Sequence, residues 1–242
     1  MLPTIAIATV NISTYWMMFA VGVISMGVLM VRRRKQYSLS LLKALLATAL
    51  ITFFGVVGAK GLGAVQNWEG VQVDGLSAAG FSFFGAVFLV PVGLGLLAPV
   101  FGIKRAMMLD AIAPCFASIV AFMRVGCFLA GCCGGMEAEL LGVRFHWPTQ
   151  IIESLGDFFT LGLLLQMEEE GRYTGRRYAV CLGSYGILRF FVEFLRETEK
   201  RLLGLGDGQW FALFAVLLSI TTLLRKKSDV KANRKDKIWL DA

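Results

Sequence analysis

The sequence predicts an all-α polytopic membrane protein with seven transmembrane helices. Hydrophobic residues make up 57% of the 242-residue chain, charged residues only 17%, and the mean hydropathy is +0.68, all atypical of a soluble domain. Several apolar runs reach the roughly 20 residues that cross a hydrocarbon core about 30 Å thick. Runs of this length argue against a soluble enzyme and a disulfide-stapled secreted module. Because the runs are continuously apolar rather than alternating, they also argue against a transmembrane β-barrel.

The first apolar run, at residues 8–31, predicts a retained transmembrane helix. It is too long for the core of a signal peptide, no charged segment precedes it, and no small-residue cleavage motif follows it. It ends at the basic cluster of residues 32–35. Basic loops stay on the cytoplasmic side of a membrane, so the N-terminus is expected outside.

Six further helices are predicted after the first. We expect them at residues 40–66, 77–102, 109–131, 149–167, 178–195 and 208–224. An odd number of spans places the C-terminus in the cytoplasm, and the basic tail at 225–242 agrees with this. The predicted inner loops contain Lys104, Arg105, Arg172, Arg176 and Arg177, whereas the predicted outer loop at 67–74 contains no lysine or arginine.

One predicted outer loop departs from this charge pattern. It contains Arg196, Lys200 and Arg201 together with acidic residues, and the sequence leaves open whether it is a binding surface or a solvated loop. No internal repeat or linker is found, so residues 1–224 are expected to form a single transmembrane domain and residues 225–242 a cytoplasmic tail. The tail is interpreted as a topology determinant, with contact to anionic lipid as the alternative.

Four charged residues fall within predicted spans and are therefore candidates for function: Arg124, Glu153, Arg189 and Glu193. A charge at the centre of a membrane helix costs about 2.5–3.5 kcal/mol on insertion scales. Arg189 and Glu193 are four residues apart, so an intrahelical ion pair would explain both. The functional alternative is that Arg124 and Arg189 converge on a phospholipid phosphate, which suits the planar fork of guanidinium. Tyr185, one turn before Arg189, would then face the same ligand.

The cysteines, the histidine and one lysine are weaker candidates. We predict that Cys127, Cys132 and Cys133 pack without a metal, because adjacent cysteines point in different directions and the spacing of zinc ligands is missing. A disulfide and thiol chemistry at Cys127 beside Arg124 stay open as alternatives. Cys115 and Cys181 are interpreted as packing residues. His146 is either a base or a solvated loop residue, and Lys60 either packs among small residues or acts in catalysis.

Three segments carry the main motifs of one family. MRVGCFLAGCCGG is similar to the signature G-R-x-G-N-F-x-N-G-E-x-x-G, WPTQIIES to H-P-S-Q-x-x-E, and GSYGILRFFVEFLRE, followed by GQW, to Y-G-x-x-R-F-x-x-E-x-x-R. By these motifs the chain resembles the bacterial prolipoprotein diacylglyceryl transferases over most of its length. The residues retained include Arg124, Gly126, Phe128, Gly131, Gly135, Pro148, Gln150, Glu153, Tyr185, Gly186, Arg189, Phe190, Glu193 and Arg196. TYWMMFAVG and GAKGLG resemble the first-helix tyrosine segment and a G-G-R-x-G turn.

The resemblance implies the same seven-span, N-out plan and a set of site residues. It implies Arg124, Arg189, Tyr15, Tyr185 and Glu153 as catalytic residues. It implies substrate contacts for five more residues: Gly126, Gly135, Gln150, Glu193 and Arg196. The expected donor is phosphatidylglycerol in a bacterial inner membrane, and the expected acceptor is the signal peptide of a lipoprotein precursor. Membrane lipid is a further expected partner, and no nucleic acid, metal or cofactor is expected.

The chain departs from the family pattern at several functional positions. Phe84 stands where the family's S-F-H-G segment has its histidine, and Trp147 replaces the histidine of H-P-S-Q. Cys127 and Ala130 replace the two asparagines of the signature, and Cys132 replaces its glutamate. The chain is therefore interpreted as a divergent member, in which lipid binding carries over more directly than the reaction.

In the family reaction a lipobox cysteine thiol attacks the glycerol carbon of phosphatidylglycerol, and glycerol 1-phosphate leaves. Arg124 and Arg189 would stabilise the charge that grows on the phosphate. The thiol, whose ordinary pKa is about 8.5, requires a base such as a desolvated Glu153, or a nearby cation. Two alternatives stay open: a related enzyme that passes a phospholipid group to another acceptor, and a non-catalytic phospholipid-binding or transport protein.

Overall fold

The computed structural model describes residues 4–7, 10–140, 142–198 and 202–225. Residues 226–242 of the predicted tail lie outside these ranges. Within the ranges the chain is mostly helical, and its helices are α1 Thr14–Arg33, α2 Leu41–Gln66, α3 Trp68–Asp74, α4 Phe83–Phe101, α5 Arg105–Ala130, α6 Thr149–Glu169, α7 Arg177–Val192 and α8 Asp207–Leu224. Seven of these helices coincide with the seven predicted ones to within a few residues at most ends.

Six of the described helices are long and apolar enough to cross a membrane: α1, α2, α4, α5, α7 and α8. The remaining long helix, α6, has 21 residues but is more polar in its first half. Its buried residues include Gln150, Glu153, Ser154 and Asp157, so this polarity faces the protein interior. The composition of α6 therefore reflects what it packs against.

Helix α5 lies at the centre of the bundle and contacts α1, α4, α6 and α7, while α2 pairs with α4 and α8 with α7. Large apolar side chains face outward, as at Leu42, Val100 and Phe159, which are 75%, 73% and 74% exposed. An apolar outer surface of this extent is unfavourable in water and suits hydrocarbon. Packing and exposure thus agree with a multi-pass membrane protein.

Close helix packing depends on glycine at the contact between α2 and α4. A Cβ atom at Gly58 would lie 2.3 Å from the carbonyl oxygen of Gly85, and one at Gly85 would lie 1.9 Å from the carbonyl oxygen of Gly58. Any larger residue would force the two helices apart. Lys60, two residues after Gly58, donates a hydrogen bond to the Ala79 carbonyl and lies 4.8 Å from the ring centroid of Phe81. The structure thus gives Lys60 a packing role.

Several predicted boundaries were wrong. The chain before α1 forms an antiparallel hairpin of β1 Thr4–Ile7 and β2 Val10–Ser13, so the first helix begins at Thr14 and not at residue 8. The β-branched residues in VNIST favour strands, which mean hydropathy does not reveal. The predicted outer loop at 67–74 contains α3, and the third predicted helix, expected from residue 77, begins at Phe83 as α4. The GAKGLG segment lies within α2 rather than in a turn.

A second hairpin, missed by the sequence analysis, lies between α5 and α6. Strands β3 Glu137–Leu140 and β4 Val143–His146 pair in antiparallel register, with Glu137 opposite His146. His146 is exposed at the end of β4, in agreement with the interpretation of a solvated histidine.

A buried network of ion pairs and hydrogen bonds joins four elements at one end of the bundle. We call it the Glu168 network: Arg33, Tyr37, Asp110, Glu168 and Arg177. Arg33 Nε donates to the two Glu168 carboxylate oxygens at 2.9 and 3.0 Å, and the Tyr37 hydroxyl donates to Glu168 at 3.1 Å. Arg177 Nη1 donates to the Tyr37 oxygen at 3.2 Å. The network ties the end of α1 to the start of α7 and the end of α6.

Candidate functional site

The charged residues predicted as candidates meet at one carboxylate. Arg124 Nε of α5 lies 2.6 Å from Glu153 Oε2, and Arg189 Nη1 of α7 lies 2.5 Å from Glu153 Oε1. Arg196 approaches the same carboxylate at 3.9 Å. Glu153 itself is 2% exposed. Helices α5 and α7 and the segment after α7 therefore bring three guanidinium groups to one buried acid on α6.

Glu193 completes this group, which we call the Glu153 network: Arg124, Glu153, Arg189, Glu193 and Arg196. Arg189 Nη2 lies 2.7 Å from Glu193 Oε2, the intrahelical pair expected from their spacing. A Cβ atom at Gly208 would lie 2.8 Å from Glu193 Oε1, so glycine at this position allows the start of α8 to pack closely over this carboxylate. The GQW segment thus closes the network from the side of α8.

Tyr185 lies next to this network with an unpartnered hydroxyl. The ring is 5% exposed, and its oxygen has no hydrogen-bond partner among the described residues. Its ring packs against Phe83 and Phe84, with centroids at 5.4 and 5.7 Å. A buried hydroxyl without a partner is costly, so this atom is a candidate contact for a ligand oxygen.

Phe84, at the position of the family histidine, lies within an aromatic cluster. Besides Tyr185, its ring contacts Phe211 and Phe88, at centroid distances of 5.4 and 6.2 Å, and only 4% of Phe84 is exposed. The neighbouring Phe83 instead lies 5.9 Å from the Arg124 guanidinium and lines the cavity described next. The position that would carry the base is therefore filled by packing.

An apolar cavity of about 340 Å³ lies between α1, α2, α4 and α5. Its walls are mostly aliphatic and aromatic, and its polar lining includes Tyr15, Arg124 and three cysteines. Arg189 is not among the lining residues, so Arg124 is the member of the Glu153 network that reaches the cavity. Gly126 allows α1 to approach here, because a Cβ atom on it would lie 3.0 Å from the Met18 Cβ.

The turn after α5 folds back over the end of that helix. Gly131 adopts φ 74°, and the Cys132 amide donates to the Cys127 carbonyl at 3.1 Å, a common way to end a helix. Gln150 Nε2 donates to the Cys132 carbonyl at 2.7 Å, and Thr149 Oγ1 to the Cys133 carbonyl at 3.1 Å. The start of α6 therefore holds the turn in place.

Gly135, at the end of the same turn, allows the chain to pass close to two neighbouring segments. A Cβ atom there would lie 2.5 Å from the Leu195 carbonyl oxygen and 2.6 Å from the Trp147 Cβ. Gly135 and Gln150, expected as substrate contacts, thus shape the protein around the site. Gln150 also has an unpartnered Oε1 among the described residues.

Three sulfur atoms meet at this turn. Those of Cys127, Cys132 and Cys133 all lie within 4.8 Å of one another. The expectation that adjacent cysteines point apart was wrong, because Cys133 adopts the left-handed conformation, φ 61°, which turns its side chain back toward α5. A hydrogen bond from the Cys127 thiol and the positive charges of Arg196 and Arg124 hold the pKa of the Cys133 thiol below its ordinary value.

The sequence analysis missed two features of this end of the molecule. Asp157, one turn after Glu153 on α6, is 3% exposed, and its Oδ2 has no hydrogen-bond partner among the described residues. Its (i, i+4) spacing from Glu153 was the signal available in the sequence. The convergence of the cysteines had no such signal, since it depends on the backbone of the turn.

Comparison with known proteins identifies what this architecture is similar to. The family model described as prolipoprotein diacylglyceryl transferase matches residues 3–225. A phosphatidylglycerol–prolipoprotein diacylglyceryl transferase 2 of Clostridium perfringens is 30% identical over 226 residues, covering 86% of this chain and 88% of the relative. A Clostridium tetani transferase is 32% identical over 154 residues, or 58% of this chain and 62% of the relative. One from Finegoldia magna is 25% identical and covers 93% of this chain and 96% of the relative.

Proposed function

Because the chain belongs to the prolipoprotein diacylglyceryl transferase family, we propose that it transfers diacylglyceryl from phosphatidylglycerol to a prolipoprotein. The acceptor is the lipobox cysteine thiol of the signal peptide, and the second product is glycerol 1-phosphate. The names of the relatives state both phosphatidylglycerol and prolipoprotein. The observation that carries the proposal is the meeting of Arg124, Arg189 and Arg196 at Glu153 beside an apolar cavity.

The Glu153 network suits a phosphate leaving group. In its ion pairs three guanidinium groups face the carboxylates of Glu153 and Glu193, so positive charge is in excess among these residues. When the carbon–oxygen bond breaks, charge grows on the phosphate, and fixed cations stabilise that state more than the bound lipid. We assign this role to Arg124 and Arg189.

Glu153 is better suited to positioning than to proton abstraction. Each of its oxygens lies within 2.6 Å of a guanidinium nitrogen. A carboxylate held between two cations has its oxygens engaged and is a weaker base than a free one. We therefore assign Glu153 to orienting the two arginines.

The cavity supplies the place for the hydrophobic part of the donor. Its volume of about 340 Å³ and its apolar walls suit acyl chains, and Arg124 lies where the head group would sit. Tyr15 lines the same cavity, and the unpartnered Tyr185 hydroxyl is available to a phosphate or ester oxygen. We assign both tyrosines to holding the donor.

The proposed setting is a bacterial inner membrane, crossed seven times with α6 as the seventh span. The N-terminus then lies outside and the C-terminus in the cytoplasm. Support comes from the helix order and from the basic residues near the Glu168 network, which would be the cytoplasmic end. Reporter fusions after Leu224 and within the β3–β4 loop test this arrangement, and a reporter after Leu224 found on the outer face would contradict it.

The activity is tested with labelled phosphatidylglycerol and a lipobox peptide. We expect a thioether-linked peptide and release of glycerol phosphate, and neither with a peptide whose lipobox cysteine is replaced by serine. Released glycerol phosphate without a lipidated peptide would indicate a different acceptor. Lipid binding without release of glycerol phosphate would contradict any transferase activity.

A further inference from the structure

The three cysteines at the end of α5 form a preorganised set of sulfur ligands. Their sulfur atoms lie within 4.8 Å of one another, and zinc–sulfur bonds of about 2.3 Å in a tetrahedral site place sulfur atoms about 3.8 Å apart. Small side-chain movements are sufficient to pass from one arrangement to the other. The geometry therefore fits a single thiophilic ion.

The protein holds this set in place at a cost. Cys133 is a non-glycine residue with φ 61°, an unfavourable conformation that persists where the surroundings enforce it. The enforcing contacts are the hydrogen bonds from Thr149 and Gln150 to the carbonyls of Cys133 and Cys132. Simple packing of two exposed cysteines would need neither the strain nor these two bonds.

The sulfur set also faces the candidate active site. All three cysteines line the cavity that contains Arg124 and Tyr15. Cys127 is buried, whereas Cys132 and Cys133 are exposed. An ion bound by the three sulfur atoms would therefore be held on its buried side and accessible on its exposed side. Three protein ligands with an open fourth position are typical of catalytic rather than structural zinc sites.

We propose that Cys127, Cys132 and Cys133 bind a zinc ion whose fourth position takes the thiol of the acceptor cysteine. This inference rests on the proposed transferase function and names how the acceptor is activated. Phe84 is packed among aromatic rings, and both oxygens of Glu153 are engaged by guanidinium groups. A thiol bound to zinc loses its proton outright, so the sulfur becomes a nucleophile without a dedicated base.

The step balances without an oxidant or reductant. The acceptor thiol releases its proton to water as its sulfur binds the ion. The sulfur electron pair then forms the bond to the glycerol carbon, and the carbon–oxygen bond breaks with its electrons passing to the phosphate oxygen. The products are a thioether, which is a weaker ligand than a thiolate and leaves the ion, and glycerol phosphate, whose charge faces Arg124.

The charge of the site is matched to its surroundings. Three thiolates and one divalent ion carry a net charge of about −1, and bound thiolate from the acceptor adds another negative charge. Arg124 lines the same cavity as the three cysteines. Its positive charge therefore favours the anionic sulfur set as well as the leaving phosphate.

The first test is metal content, measured by mass spectrometry on the full-length protein purified without added metal. We expect zinc equimolar with the chain, and its loss to background in Cys127→Ser, Cys132→Ser and Cys133→Ser variants. Cys181→Ser is the matched control, because Cys181 is buried against the Ala113 carbonyl on α5 and lies outside the sulfur set. We expect the Cys181→Ser variant to contain as much zinc as the wild type. Zinc that is absent from the wild type, or equal in the wild type and the serine variants, overturns the proposal, as does a disulfide among the three cysteines.

The second test needs no variant and so does not depend on how the variants fold. Cobalt(II) replaces zinc in the wild-type protein, and we expect sulfur-to-metal charge-transfer absorption with tetrahedral ligand-field bands. A lipobox peptide with its cysteine should change these bands, and the serine peptide should not. If the absorption bands do not change when the cysteine-containing peptide is added, the proposal that the acceptor thiol occupies the fourth position is overturned.

Activity separates this inference from the proposed function. Full transfer by metal-free protein, or by the triple serine variant, overturns the zinc site and leaves the transferase function standing. Absence of transfer by zinc-loaded wild type contradicts the transferase function, while metal content and the cobalt bands still decide whether the ion is bound.

Discussion

At one end of the bundle lies the Glu168 network and at the other the Glu153 network, and both are built from buried arginines and acids. Asp110 and Arg124 mark their positions on α5, fourteen residues apart and therefore about 21 Å along the helix axis. In the Glu168 network every side-chain oxygen has a partner among the described residues. Arg33 Nη1 even donates to the Ala111 carbonyl at 3.0 Å.

The Glu153 network differs in being incomplete. Beside it lie the unpartnered Tyr185 hydroxyl and Asp157 Oδ2, and Arg124 reaches a cavity. Its ion pairs join three guanidinium groups to two carboxylates, whereas Arg33 and Arg177 meet two carboxylates, Glu168 and Asp110, at the other end. A buried network in which every polar atom has a partner stabilises the fold, whereas one with unpartnered polar atoms can still hydrogen-bond to a ligand. Burial of charge alone therefore does not identify a functional site.

The largest expected effect separates the two networks by stability. Arg33→Ala leaves Glu168 without its main cation, and breaking a buried ion pair in this way costs about 3–5 kcal/mol of the free energy of unfolding. Denaturant unfolding in detergent measures this loss. The activity per folded molecule should stay near that of the wild type, and a selective loss of activity would remove the distinction between the networks.

Arg124→Ala should show the opposite pattern. Glu153 keeps Arg189 as a partner, so the loss of stability is smaller than for Arg33→Ala. Removal of a group that stabilises the leaving phosphate is expected to lower kcat about 100-fold, or about 2.7 kcal/mol. Steady-state kinetics with phosphatidylglycerol and the lipobox peptide provide the measurement. Unchanged kcat would mean that Arg124 serves structure alone.

Arg189→Lys tests whether geometry matters as well as charge. Lysine keeps the positive charge but cannot bridge Glu153 and Glu193 with a planar fork, so we expect a loss of activity of about 10-fold or more, roughly 1.4 kcal/mol. The matched control is Arg177→Lys in the Glu168 network, which should lower stability with activity per folded molecule retained. Equal effects of the two substitutions on activity would count against the phosphate role of Arg189.

The smallest effect on activity is expected at Phe84. Histidine at this position would face Tyr185 and Phe211 rather than the cavity, so Phe84→His should not raise transfer to a lipobox peptide. Phe84→Ala should lower stability by about 3–5 kcal/mol, as expected for a buried aromatic side chain, with little effect on activity per folded molecule. A gain of activity in Phe84→His would show that the chain lacks only the family base.

The membrane-spanning class, the ends of most long helices and four charged candidates could be predicted from the sequence: Arg124, Glu153, Arg189 and Glu193. These follow from local properties, since the length of an apolar run and the cost of a buried charge are readable in one dimension. Arg33 and Arg177 were expected only as markers of topology. Their burial depends on Glu168 and Asp110, which are distant in sequence.

Which charged residues share a partner, and where the cysteines point, could be seen only in the folded chain. The distance between side chains on different helices is set by packing, and no spacing in the sequence encodes it. The direction of Cys133 depends on one backbone angle, φ 61°, which Thr149 and Gln150 support from the next helix. A single rotation there converts two neighbouring cysteines that were expected to diverge into a cluster with Cys127.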